Sequence, residues 1–317
     1  MQDILTVTLN PAVDLSTTAP AITPGHKLRC ATPAFSAGGG GINVSRAIRI
    51  LGGHSRAFVA TGGNAGQRLH DLLAEEGIAE IAFPAPGETR TNVAAISDET
   101  GEQFRFVMPG PTWSEADCTR LLSRLSVMTS RSGLVVLSGS LAPGMPTDFA
   151  RALIASLQAT SPTVFCDISG APLNALCAAP NPGLSVLRMD LDESEDIHGS
   201  PLPTRADSAH FAADLVAKGV AETVIVARGP DGSVLASEEG CLHATALDVP
   251  IDSKVGAGDS FVGAFTLARA EGADLAAALK HGTTAATSAV TTPATELCRG
   301  EDVARFLPQC VLSRIDL

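Results

Sequence analysis

Tyrosine is absent from this 317-residue chain, tryptophan occurs once (Trp113), and aromatic residues make up only 4% of it. Any core must therefore be filled by Ala, Val, Leu and Ile, which the 45% hydrophobic content and the mean hydropathy of +0.21 supply. That content also excludes wholesale disorder. Basic residues are scarce: 22 Lys and Arg stand against 34 Asp and Glu, for a net charge of −12. A field of that sign repels nucleic acid and anionic membrane surfaces, so no nucleic acid and no membrane is expected as a partner. An anionic ligand must then be met by local basic groups and helix N-termini.

Other absences narrow the chemistry. No apolar run reaches the roughly 20 residues of a membrane span. Met1–Val7 enters a strand pattern without a basic leader, so the expectation is a cytoplasmic protein. The seven cysteines include no CxxC pair and no zinc spacing. An odd number of them in a long chain reads as reduced, mostly buried thiols. GxSxG, HExxH and metal-ligand spacing of the histidines are all missing, which argues against serine hydrolases and zinc proteases.

What is present is alternation. The apolar runs Ile4–Leu9, Ala57–Ala60, Leu134–Leu137, Thr163–Cys166 and Thr223–Ala227 are separated by amphipathic stretches at Val44–Leu51, Leu69–Glu76, Glu115–Val127, Phe149–Leu157 and Ala209–Val216. This reads as βαβ units in one α/β domain over 1–317, a mostly parallel sheet with helices on both faces. Its ligand site belongs at the carboxyl ends of the strands. Two segments, 14–35 and 91–107, break the rhythm and read as a small β-sheet lid, with Asp98-Glu99-Thr100-Gly101 as a hairpin turn. The other reading of them is two surface excursions. From Lys254 onward Ala257–Arg269 and Leu275–Val290 are Ala-rich helices.

Gly256-Ala257-Gly258-Asp259 carries the strongest chemical signal. Small residues let a phosphate approach the backbone, and a helix starting near Gly258 aims free N–H groups at it. A carboxylate there can act as general base while the amides of Gly256, Ala257 and Gly258 form an anion hole. The P-loop template fails, because Ala264 follows Gly263 where a Lys is needed. Taken alone, the segment also fits an Asp-capped helix start. Gly38-Gly39-Gly40-Gly41-Ile42-Asn43 precedes a helix and permits backbone contact with a ligand, while Asn43 offers donor and acceptor to sugar hydroxyls. Asp14 can accept from such hydroxyls. Lys27, Arg90 and Arg105, in or beside the proposed lid, can hold a phosphate or stand as solvated surface charges. Arg228-Gly229-Pro230-Asp231-Gly232 reads as a plain turn between two strands.

Together these residues resemble the PfkB (ribokinase-like) family of carbohydrate kinases, from about Leu5 to Cys298. Asn10-Pro11-Ala12-Val13-Asp14 is similar to the branch acting on fructose and tagatose phosphates. Gly38–Asn43 and Glu102–Gly110 resemble the minor bacterial 6-phosphofructokinases more than the 1-phosphofructokinases, which carry Lys where Gly40 stands. The resemblance implies a Rossmann-like core with a lid often used to form a homodimer, ATP with Mg2+ as donor, and Asp259 as base. By position it implies that Asp14, Lys27, Gly39, Asn43, Arg90, Arg105, Ser138 and Gly139 hold a phosphorylated ketohexose. It likewise implies that Arg188, Asp190, Ala227, Gly229, Gly232 and Lys254 face the nucleotide, with Glu193 organising Mg2+ through water.

The nucleotide half departs from the family pattern. Arg188-Met189-Asp190-Leu191-Asp192-Glu193 replaces Lys-Pro-Asn-x-x-Glu, Ala227 replaces Ser, Lys254 replaces Thr, and Thr292-Pro293-Ala294 replaces Asn-x-Gly. Asp190 is acceptor-only and repels phosphates, and Lys254 is expected to restore the charge it upsets. The expected activity is conversion of fructose 6-phosphate to fructose 1,6-bisphosphate. The alternatives are a 1-phosphofructokinase, a tagatose-6-phosphate kinase, or a sugar-phosphate-binding protein with weakened kinase activity.

Overall fold

Uninterrupted apolar runs are what strands buried on both faces require, and the runs above become the centre of a ten-stranded sheet. The computed structural model describes every residue except 129–132, 158–159, 161 and 294–295. Along the chain, β1 (Ile4–Thr8), β2 (Ala12–Ala19) and β3 (Ala34–Gly38) lead into α1 (Gly40–Ile50). Then come β4 (Arg56–Thr61), α2 (Gly63–Glu75), β5 (Ala79–Pro84), β6 (Arg90–Ser97) and β7 (Gln103–Phe106). The middle holds α3 (Glu115–Met128), β8 (Leu134–Ser138), α4 (Phe149–Leu157), β9 (Thr163–Asp167), α5 (Ala171–Cys177) and β10 (Leu184–Asp190). After α6 (Leu191–His198) and α7 (Arg205–Ala217) come β11 (Thr223–Ala227), β12 (Ser233–Ser237) and β13 (Gly240–Ala244). The chain closes with α8 (Ala257–Ala270), α9 (Leu275–Ala289), α10 (Gly300–Phe306) and β14 (Leu312–Ile315).

The large sheet runs β14-β13-β12-β11-β10-β9-β8-β1-β4-β5. It is parallel from β11 to β5, and β12, β13 and β14 add an antiparallel edge. Successive side chains point to opposite faces. Val135 and Leu137 thus join a core with α3, α4, α5 and α7, while Leu134 and Val136 join a second core with α1, α8 and α9. Chain order reverses at β1, which lies between β8 and β4, so the crevice beyond the carboxyl ends of β1 and β8 is the switch point where such sheets bind ligands. Among the described residues no helix is long and apolar enough to cross a membrane.

A second sheet, β3-β2-β6-β7, stands over that crevice. It contains the two segments that break the sequence rhythm, but the hairpin β6–β7 is only half of it. β2 pairs with β6 in parallel, Asp14 opposite Asn92, a partnership between strands about 78 residues apart. α1 also starts earlier than its apolar period, because Gly40 and Gly41 form its first turn. A Cβ on Gly41 would lie 2.6 Å from Thr8 Oγ1 and 2.7 Å from the Val7 carbonyl.

α8 presses on α1 through Gly263, where a Cβ would lie 2.7 Å from the Ala47 Cβ and 3.1 Å from the Val44 carbonyl oxygen. Gly263→Ala gains about 1 kcal/mol of helix propensity and incurs roughly 1–3 kcal/mol of overpacking. Backbone cannot yield as a side chain can, so overpacking wins. The variant is expected to lose about 1 kcal/mol in urea denaturation; a more stable variant would contradict this packing.

Candidate active site

The late glycine-rich segment meets the early one. Gly256, in the left-handed region at φ 78°, turns the chain into α8, and no side chain caps that helix. Among the described residues its first turn therefore has no side-chain cap, which leaves backbone N–H donors of the kind an anion can meet. Asp259 lies in this turn, and Asn43 Nδ2 on α1 donates to its Oδ2 at 2.9 Å. Burial and then the neighbouring Asp167 push the Asp259 pKa up to about 6, against the Asn43 hydrogen bond and the charges of Arg188 and Arg46. A carboxylate held near 6 is a stronger base than one at the ordinary value.

Asp167 escaped the sequence reading, since a lone acid ending a strand belongs to no motif. Strand register is the signal that places it: Asp167 on β9 lies opposite Ser138 on β8 at the switch point. It holds Arg188, whose Nη1 donates to Asp167 Oδ1 at 2.8 Å with both side chains under 15% exposed (12% and 14%). The guanidinium also lies 5.7 Å above the Phe261 ring and about 3.1 Å from where a Cβ on Gly258 would be. Burial opposes its charge, but Asp167, Glu193 and Asp259 together hold its pKa above the usual value.

Asp14, Asn43, Arg105 and Gly256 line one cleft between the small sheet and the large one. Arg46 and Asn92, both unmarked in the sequence reading, line it too. Asn92 Nδ2 donates to Asp14 Oδ1 at 2.8 Å. Burial raises the Asp14 pKa, while that hydrogen bond and then Arg90, Arg105 and Arg46 pull it down. Three guanidiniums around a single carboxylate leave positive charge for an anionic ligand. Beneath, Gly38 and Gly40 leave no room for a Cβ against Asp14 and Ser138, respectively. Gly39 takes φ 122° and Gly139 φ 97°. Ser138 Oγ, Thr8 Oγ1 and Asn10 Oδ1 are buried there without a hydrogen-bond partner among the described residues.

Two basic residues are placed differently from the rest. Arg90 spends its guanidinium on the carbonyls of Asn10 (2.8 Å) and Met108 (3.2 Å), so it ties β6 to the loop after β1. Lys27 is exposed on the stretch between β2 and β3 and does not line the cleft.

At the carboxyl end of β10, Asp190 caps α6 reciprocally: its Oδ1 accepts from the Glu193 N–H at 2.8 Å, and Glu193 Oε2 accepts from the Asp190 N–H at 2.9 Å. Half of each carboxylate is thereby committed to backbone. Burial raises the Glu193 pKa. Lys254 is exposed and forms no ion pair with Asp190 among the described residues, so the expected compensation is not visible as a contact. Ala227 ends β11 in register with Asp190. Gly229 and Gly232 shape the turn to β12 at φ 58° and 94°. Thr292 is buried, whereas Ala294 lies outside the described residues. The arrangement brings a carboxylate, an uncapped helix N-terminus and a basic cleft together.

Known proteins resemble this chain in sequence and fold. The family described as pfkB family carbohydrate kinase matches residues 3–301. The ATP-dependent 6-phosphofructokinase isozyme 2 of Escherichia coli is 36% identical over 306 residues, covering 96% of this chain and 98% of that protein. A 1-phosphofructokinase of Xanthomonas campestris is 34% identical, over 81% of each. The crystal structure of Escherichia coli phosphofructokinase-2 in complex with fructose-6-phosphate superimposes with a TM-score of 0.89 at 34% identity, over 98% of this chain and 99% of that one.

The raised Asp259 pKa has two readouts. Its carboxylate is expected to titrate near pH 6 in carbon-detected NMR, and catalysis that needs it as a base falls off as pH drops through that value. Between pH 3.8 and about 6 the folded protein binds the proton that the unfolded chain releases, so this group makes stability fall as pH rises. Asp259→Asn should therefore raise the thermal midpoint above pH 6. A midpoint near 4, with no gain in stability, would remove the base assignment's electrostatic support.

Proposed function

The chain belongs to the pfkB family of carbohydrate kinases, and on that footing we propose that it transfers the γ-phosphoryl group of ATP to fructose 6-phosphate, giving fructose 1,6-bisphosphate. The observation that carries this is the position of Asp259, half-buried in the first turn of an uncapped helix and hydrogen-bonded to Asn43, which lines an arginine-lined cleft. Asp14, Asn43 and Asn92 orient the sugar hydroxyls, and Arg105 faces the sugar phosphate. Asp259 takes the proton of the accepting hydroxyl as its oxygen attacks. The Gly256–Gly258 amides then meet the charge on the transferred group. Glu193, whose Oε1 makes no hydrogen bond among the described residues, would hold a water of a magnesium ion brought with the nucleotide, and that ion would supply further neutralisation. The Xanthomonas relative keeps fructose 1-phosphate open as a second acceptor.

An ADP-release assay with fructose 6-phosphate, fructose 1-phosphate, tagatose 6-phosphate, fructose and ribose decides the acceptor, with fructose 6-phosphate expected to give the highest kcat/KM. Asp259→Asn should bind it normally and turn over at least about 100-fold more slowly. Arg105→Ala should raise KM roughly 10-fold or more. Near-normal turnover without Asp259, or faster use of unphosphorylated fructose, would overturn the reading.

The small sheet serves as a lid, and its outer edge leaves Phe104, Phe106, Val107 and Met108 at 37%, 52%, 61% and 42% exposure. A second copy covering this apolar run gives a homodimer. Sedimentation at micromolar concentration should show a dimer that Phe104→Glu with Phe106→Glu dissociates. A monomeric unmodified chain would rule it out.

A further inference from the structure

We infer that Arg46 is a positioning residue for the base: anchored by Glu76, it fixes the Asn43 amide so that the NH2 group, and not the carbonyl, faces Asp259. The inference rests on Asp259 being the base. Arg46 lies one turn after Asn43 on α1, where residues three apart share a face. Its Nε donates to Glu76 Oε2 at 2.5 Å, and its Nη1 donates to Asn43 Oδ1 at 3.4 Å. Asn43 Nδ2 then donates to Asp259 Oδ2 at 2.9 Å.

The chemistry of the three groups leaves one orientation. A guanidinium carries only donors, and an ionised carboxylate only accepts. An amide between them is satisfied with its oxygen toward Arg46 and its nitrogen toward Asp259. Turned by 180°, it sets donor against donor and oxygen against oxygen. Arg46 therefore selects between two states of Asn43, and one of them withdraws the only side-chain hydrogen bond that Asp259 receives among the described residues.

Glu76 explains why Arg46 stays in place. It stands at the carboxyl end of α2, where a negative charge is unfavourable beside the helix dipole. Pairing with Arg46 offsets that placement, and the two side chains are 17% and 31% exposed. The contact crosses from α2 to α1, so the orientation of the base is coupled to the packing of a helix that supplies no residue to the cleft lining. The groups acting on Asp259 are Asp167 from β9, Arg188 from β10, and Asn43 and Arg46 from α1. Asp167 raises its proton affinity, and the other three lower it.

The test follows the fructose 6-phosphate reaction of Arg46→Met, Arg46→Lys and Glu76→Gln across pH, with thermal midpoints to monitor folding. Arg46→Met should lower kcat roughly 10-fold at neutral pH and move the acid limb of the kcat profile to higher pH, with KM for ATP unchanged. Arg46→Lys keeps the charge but cannot span Glu76 and Asn43 together, so it should show a smaller shift in the same direction. Glu76→Gln should fall between the unmodified enzyme and Arg46→Met. A lower kcat with the acid limb in place overturns the inference. So does a raised KM for the sugar phosphate alone, which assigns Arg46 to substrate binding. If Asp259→Asn itself retains turnover, the base assignment fails before the positioning one is reached.

Discussion

The hydrogen bond from Asn43 to Asp259 joins residues 216 positions apart, and the rest of the site is arranged around it. It exists because α1 and α8 pack closely enough for Gly263 to touch the Ala47 methyl and the Val44 carbonyl. Each helix brings a backbone feature with it: α1 the glycine-rich turn against β1 and β8, α8 the uncapped N-terminus. Contact between the two helices thus brings the Asn43 amide, the Asp259 carboxylate and the uncapped N-terminus of α8 together in one step. Because the partners are backbone and methyl groups, the helices have little freedom to settle at another distance.

Much of the fold is legible because the sheet is buried on both faces. Ile4–Leu9, Leu134–Leu137 and Thr223–Ala227 read as strands, since each residue in them needs an apolar environment on one side or the other. Asp259 and Asn43 are legible because glycine clusters mark where backbone must come close to something. What stays hidden is pairing across sequence. The parallel partnership of β2 with β6 and the Asp167–Arg188 ion pair have no local signature. Arg46 was in plain view beside the glycine cluster, but its role depends on where α2 ends, and Glu76 announces nothing by itself.

The nucleotide side shows how a substitution can be absorbed rather than compensated. Arg188, expected from the resemblance to replace a Lys, spends its planar group on Asp167 and on the Phe261 face. A guanidinium engaged in that way is a rigid part of the floor under Gly258, and its charge reaches Asp259 without direct contact. Asp190 is likewise turned inward, into the cap of α6. The acidic departures in this half are therefore partly neutralised by backbone N–H groups, which lessens their repulsion of a polyanion.

The place of β1 between β4 and β8 also bears on the birth of the protein. This first strand is central, and its β4 partner emerges within about 50 residues. Its other edge waits for Leu134–Leu137, about 130 residues later. At roughly 5–20 residues per second a ribosome takes on the order of ten seconds to deliver that partner. Through that interval Ile4–Thr8 presents an apolar strand with one unpaired edge, a template for the wrong neighbour. The same central strand that places the switch point at the heart of the finished sheet makes the nascent chain a client for whatever shields such edges in the cell.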